Sequence, residues 1–172
     1  MFDRPVIARC QLHKIRNVRD KLPDELRSVV ESRMRAASGA GSELGAKAAL
    51  LALAGELDKT RPGAAASLRE GLEETLTVLR LGVPPTLART LRSTNAIESM
   101  IGICRNHARN VKHRRDGQMA LRWCAAGMVE PGGQFRRVNG HLHLAKLPAE
   151  LKRVTAETVG ATGTMRPSKP PR

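Results

Sequence analysis

Apolar side chains recur at helical spacing through most of the chain. The clearest case is DELRSVVESRMRAA at 24–37, where Leu26, Val29, Val30, Met34 and Ala37 fall on one face. Asp24 reads as its N-cap, and Pro23 closes an earlier helical stretch in which Leu12, Ile15 and Leu22 share a side. SGAGS at 38–42 is a loop by composition. An Ala/Leu-rich helix, ELGAKAALLALAGELDK, follows and ends at RPG (61–63). AAASLREGLEETLTVLRL then carries the spacing through Leu68, Leu72, Leu76 and Leu79 until GVPP at 82–85. Residues 24–81 therefore predict a three-helix block, its charges a solvated face. Near the start, Val6 to Ala8 is a short apolar run that predicts a buried strand.

Beyond the block, a helix is predicted over 95–109. Another opens at Asp116, with Met119, Trp123 and Ala126 on one face, and PGG at 131–133 ends it. FRRVNGHLHL at 135–144 predicts a small hairpin, because Asn139-Gly140 accepts the positive φ angles of a type I′ turn. GATGTMRPSKPPR, at 160–172, has too little apolar surface to offset chain entropy and predicts a disordered basic tail. The pattern as a whole is mainly α.

Composition changes this picture in one direction. The 172 residues suit one domain with a modest core, but 30 Lys+Arg against 16 Asp+Glu give a formal charge of +14. That excess attracts polyanions, nucleic acid first. A GC-rich genome would also enrich Arg and Ala, without any such function. No apolar run approaches a membrane span and no signal-peptide pattern opens the chain. The aromatics are Phe2, Phe135 and Trp123, too few for a platform that stacks unpaired bases, so contact with a duplex backbone fits better. Cys10, Cys104 and Cys124 are odd in number and lack framework spacing, which points to a reduced, cytoplasmic setting.

Candidate chemistry gathers around Glu98. On the helix from Asn95, the positions Ile97, Met100, Ile101, Cys104 and Ala108 form an apolar stripe with Glu98 at its edge. The face of Glu98 runs through Gly102, Arg105 and Arg109, leaving space beside the carboxylate and cations beyond it. Asn95-Ala-Ile-Glu98 is also a capping-box variant, and spacing alone favours that reading. Cys10-x-x-His13 and Cys104-x-x-His107 together would satisfy tetrahedral zinc, but their separation and the missing Cys-x-x-Cys knuckle weigh against a zinc site.

At these residues the chain resembles the mutator-type family of bacterial insertion-sequence transposases. RCQLHKIRNV (9–18) is similar to that family's Cys/His signature, and TLRSTNAIES (90–99) to the segment with the third acid of its Asp-Asp-Glu triad. DGQMALRWCAAGMVE (116–130) and RRVNGHLHL (136–144) are similar to its C-terminal region. The resemblance implies a ribonuclease H-like α/β core with an all-helical insertion. Residues 1–22 would be a remnant of that core and 23–90 the insertion. The helix of the third acid and its successor would occupy 91–130, a C-terminal hairpin and extension 131–159, and the tail 160–172.

It further implies that Glu98 is catalytic and a ligand of Mg²⁺ or Mn²⁺, in company with two aspartates. Arg105, Arg109, Lys112, Arg114 and Arg115 would contact DNA phosphates, with Arg92 and Asn95 beside the acid, and Cys10 and His13 would be a structural signature. The implied partner is double-stranded DNA at insertion-sequence ends, bound by a homo-oligomer in the bacterial nucleoid. In the family the two aspartates precede the Cys/His segment on strands, and Asp3 follows no strand. The expectation is a truncated chain that binds no metal tightly and is inactive by itself. The alternative is a non-enzymatic DNA-binding helical protein that interferes with an intact transposase.

Overall fold

The structure, a computed structural model, describes residues 5–109, 115–129, 132 and 137–162. Helices α1 (Gln11–Arg19), α2 (Asp24–Ser38), α3 (Glu43–Asp58), α4 (Pro62–Arg69) and α5 (Leu72–Arg80) pack into one block. They are followed by α6 (Pro85–Leu91), α7 (Asn95–Ala108), α8 (Gly117–Val129), a 3₁₀ turn at His141–Lys146 and α9 (Leu147–Thr162). No helix among the described residues is long and apolar enough to cross a membrane.

The block forms because every one of its helices contributes apolar side chains to a shared interior. Ile15, Val18 and Leu22 from α1 and its end meet Val30 and Met34 of α2, Leu50 and Leu53 of α3, Leu68 of α4 and Leu76 of α5. Each fully buried leucine of this kind stabilises the fold by about 1.5–3 kcal/mol. α3 packs most extensively on α4, where Ala64 and Ala65 are buried and small enough to let the two backbones approach. Polar groups fix α1 in register. Lys14, 4 % exposed, donates from Nζ to the carbonyl oxygens of Ser67 and Glu70, and Gln11 Nε2 donates to the Thr75 carbonyl at 3.1 Å. Desolvation pulls the Lys14 pKa down and the charge of Glu70 opposes it.

A second, smaller core joins Val78, Leu81, Val83, Leu87 and Ala88 to Val154 of α9. Gly140 makes it possible. It sits at φ 75°, and a Cβ there would lie 2.4 Å from the backbone nitrogen of Leu87, which is wholly buried. Gly140→Ala is expected to cost about 3 kcal/mol through backbone strain and a clash that no rotamer relieves, read as a fall in the urea midpoint. Gly102→Ala, in open space on α7, is expected to gain about 0.5–1 kcal/mol in the same measurement.

Several sequence expectations are corrected. Val6 to Ala8 is not a buried strand: Ile7 is 62 % exposed, and no strand among the described residues offers the segment a ladder. Its backbone is instead satisfied on α5, where the Thr77 hydroxyl donates to the Ile7 carbonyl at 2.7 Å and the Arg9 amide to the Glu74 carbonyl at 2.9 Å. Asp24 is the first helical residue, with Pro23 at the N-cap, and it pairs with Arg27. The helix expected to run through Leu68–Leu79 is broken at Gly71, whose φ of 59° turns α4 into α5. The hairpin is replaced: the turn at Asn139-Gly140 exists, but it leads into the 3₁₀ turn and α9 rather than a second strand. Helix α9 also carries residues 160–162 that were expected to be tail, and 163–172 lie outside the described residues.

Candidate functional site

Helix α7 presents Glu98 from its first turn. Its N-cap is Thr94, not Asn95, and the Glu98 amide donates to the Thr94 carbonyl at 2.9 Å. The carboxylate does not reach back to a backbone amide as a capping box would. Its Oε1 accepts from the Thr94 hydroxyl instead. The same carboxylate oxygen lies 3.8 Å from His13 Nε2, and both side chains are about half exposed.

His13 arrives there because Cys10, at the N-cap of α1, starts a helix whose first turn faces the α6–α7 link. The Gln11 amide donates to the Arg92 carbonyl at 2.8 Å, which binds that link to the N-terminus of α1. Burial raises the Cys10 thiol pKa, but hydrogen bonds from the His13 amide, the Thr94 hydroxyl and amide, and the Leu12 amide outweigh it and bring the value to about 7. The Thr94 hydroxyl therefore stands between Cys10 and Glu98, with one proton for two acceptors. Sequence reasoning missed Thr94, although the preference of N-caps for Ser, Thr, Asp and Asn was there to find it.

Alkylation of Cys10 by iodoacetamide, followed by mass spectrometry, is expected to titrate with a midpoint near 7, and Thr94→Val is expected to move it upward. The folded value lies below the ordinary 9.0, so the stability this thiolate contributes is complete above that value and is lost as pH falls toward 7. A Cys10→Ala variant will lack the stability increase that the parent shows between those two pH values.

Arg105 and Arg109 lie on the exposed face beyond Gly102, and a Cβ built at Gly102 meets nothing within 4 Å. Arg115 is exposed, and Lys112 and Arg114 lie outside the described residues. Arg92 is half-buried, and its Nε is buried without a hydrogen-bond partner. Asn95 is exposed at the start of α7. Cys10, His13 and Glu98 are thus brought together: His13 stands beside the Glu98 carboxylate, and Thr94 touches both Glu98 and Cys10. Cys104 and His107 engage elsewhere: Cys104 Sγ donates to the Gly127 carbonyl at 3.1 Å, and His107 Nδ1 lies 3.0 Å from the Ile103 carbonyl. Gly127 lets α8 approach closely there, since a Cβ would meet Cys104 Cα at 3.4 Å. Asp116 caps α8, accepting from the Met119 amide at 2.7 Å. The apolar stripe of α7 is only partly covered by α8, with Ile97 57 % exposed.

Among the described residues no group of three or more His, Cys, Asp and Glu side chains is placed to hold a metal ion. One carboxylate with an imidazole at 3.8 Å does not fit Mg²⁺, which demands near-octahedral oxygen ligation. Among the described residues the geometry delivers a hydrogen-bonded acid, arginines without a carboxylate partner nearby, and no complete metal centre.

A family model described as "Transposase, Mutator family" matches residues 1–137. No curated protein and no solved structure matches the chain.

Proposed function

The chain belongs to the Mutator family of transposases, and on that premise we propose that it serves DNA transposition as a DNA-binding segment carrying one acid of a shared catalytic centre. In this reading Glu98 is the third acid of an Asp-Asp-Glu triad in the assembled enzyme. Thr94 and His13 hold its carboxylate in place, and Arg92, Asn95, Arg105, Arg109, Lys112, Arg114 and Arg115 meet phosphates of double-stranded insertion-sequence DNA. The observation that carries it is the meeting of Cys10-x-x-His13 with Glu98 across Thr94, two segments far apart in sequence joined at one exposed edge. A capping role alone would not require His13 to stand opposite the acid.

The core is proposed to be an incomplete ribonuclease H-like unit, with the helical block as its insertion. Divalent-metal chemistry then needs carboxylates beyond Glu98. What these residues do is bind and orient DNA against the acid. Such a chain can also occupy the DNA or the subunit contacts of an intact transposase, a non-enzymatic role favoured by the lack of a second carboxylate beside Glu98 among the described residues.

The test is to incubate purified chain with supercoiled plasmid and Mg²⁺ while following binding by gel shift. Binding without nicking is expected. Failure to bind DNA would refute the proposal, and Mg²⁺-dependent nicking would refute the need for further carboxylates.

A further inference from the structure

A cleft of about 340 Å³ opens between α1, the C-terminal end of α2, α6 and the α6–α7 link. Leu12 is part of its apolar lining, and Arg35, Arg89, Arg92, Ser93 and Asn95 supply polar lining. The three arginines differ in a telling way. Arg35 is already engaged, its Nε donating to Glu31 Oε1 at 3.0 Å and an Nη to the same oxygen at 2.6 Å. Arg89 and Arg92 have no ion-pair or hydrogen-bond partner on their guanidinium groups among the described residues, and Arg92 Nε is buried.

Several arginines of the helical block are neutralised in contrast: Arg33 by Glu56, Arg69 by Asp58 and Arg80 by Glu43. A buried donor left without an acceptor opposes folding, and its presence in a cleft is explained by an acceptor that arrives from outside. Helix α7 adds to the field, because Asn95 is its first residue and no side chain caps its first turn. Helix α2 presents its C-terminal end, which repels anions, so the arginines must carry the attraction.

We propose that this cleft is a phosphate-binding site, with Arg92 and Arg89 as its ligands and Asn95 and Ser93 on its rim. Resting on the transposase reading, it seats one backbone phosphate of DNA beside the start of α7, the helix whose first turn carries Glu98. A planar guanidinium offers paired donors to phosphate oxygens, and the buried Nε of Arg92 gains the partner it lacks.

The test compares Arg89→Gln/Arg92→Gln with Arg61→Gln, which removes charge outside the cleft. With a fluorescein-labelled duplex, the cleft variant is expected to bind about tenfold or more weakly, with a salt slope shallower by about 1, while Arg61→Gln stays within about twofold of the parent. Its melting temperature should be no lower than the parent's, since Arg92 gives up no internal bond; a marked drop would mark Arg92 as a structural residue and count against the site. Inorganic phosphate is expected to raise the melting temperature of the parent and of Arg61→Gln but not of the cleft variant. The proposal is overturned if the cleft variant binds duplex as tightly as Arg61→Gln does. If the parent binds no duplex, the DNA reading fails. The phosphate titration then decides the cleft alone, an equal shift in both proteins overturning it.

Discussion

Raising salt from about 50 to about 200 mM is expected to weaken duplex binding by this chain about a thousandfold. The expectation follows from which cations are free. Where a guanidinium is held by a carboxylate, as Arg33 is by Glu56 at 2.5 and 2.8 Å, it has little charge left to release counterions. Around α7 no such pairs are found among the described residues: Arg89, Arg92, Arg105, Arg109 and Arg115 have no carboxylate partner there. If these, with Lys112 and Arg114, neutralise about six phosphates, the slope of log K against log salt is about −5. Fluorescence polarisation over a salt series measures it directly. A slope near zero would mean that the charge of +14 is solvated surface and that the chain does not read a DNA backbone.

The same contrast shows what the sequence could and could not reveal. The helices of the block were legible because Leu50, Leu53, Leu68 and Leu76 repeat at helical spacing and are indeed buried. The break at Gly71 was not, because periodicity carries across a single glycine and only the left-handed φ exposes the turn. The Asn139-Gly140 turn was found, but its following strand was not formed. Leu142 and Leu144 remain 81 % and 42 % exposed, and it is α9, through Val154, that covers the second core. At the site, Glu98 and its open face beyond Gly102 could be read from spacing, but its helix register is one residue off, since Thr94 rather than Asn95 is the N-cap. The contact between His13 and Glu98 could not be read from spacing at all, because it depends on how α1 packs beside the α6–α7 link. The pairing of each arginine is equally tertiary. Composition counts charges without telling which are spent inside the fold.

If Glu98 is the third acid as proposed, replacing the corresponding glutamate by glutamine in an intact Mutator transposase is expected to lower Mg²⁺-dependent strand transfer by about 10³-fold or more while leaving duplex affinity within about threefold. Glutamine keeps the size of the side chain and can still bond to the Thr94 hydroxyl, so the fold and the DNA surface are preserved. What it removes is the negative charge, and a neutral amide oxygen cannot hold a divalent ion against its hydration shell as a carboxylate does. A purely capping glutamate would behave differently: the substitution would cost a few tenths of a kcal/mol in stability and leave transfer intact. Strand transfer by that variant on a labelled insertion-sequence end is therefore the decisive measurement. Transfer abolished with binding retained is the result predicted here, and transfer at the parent rate would contradict the assignment of Glu98.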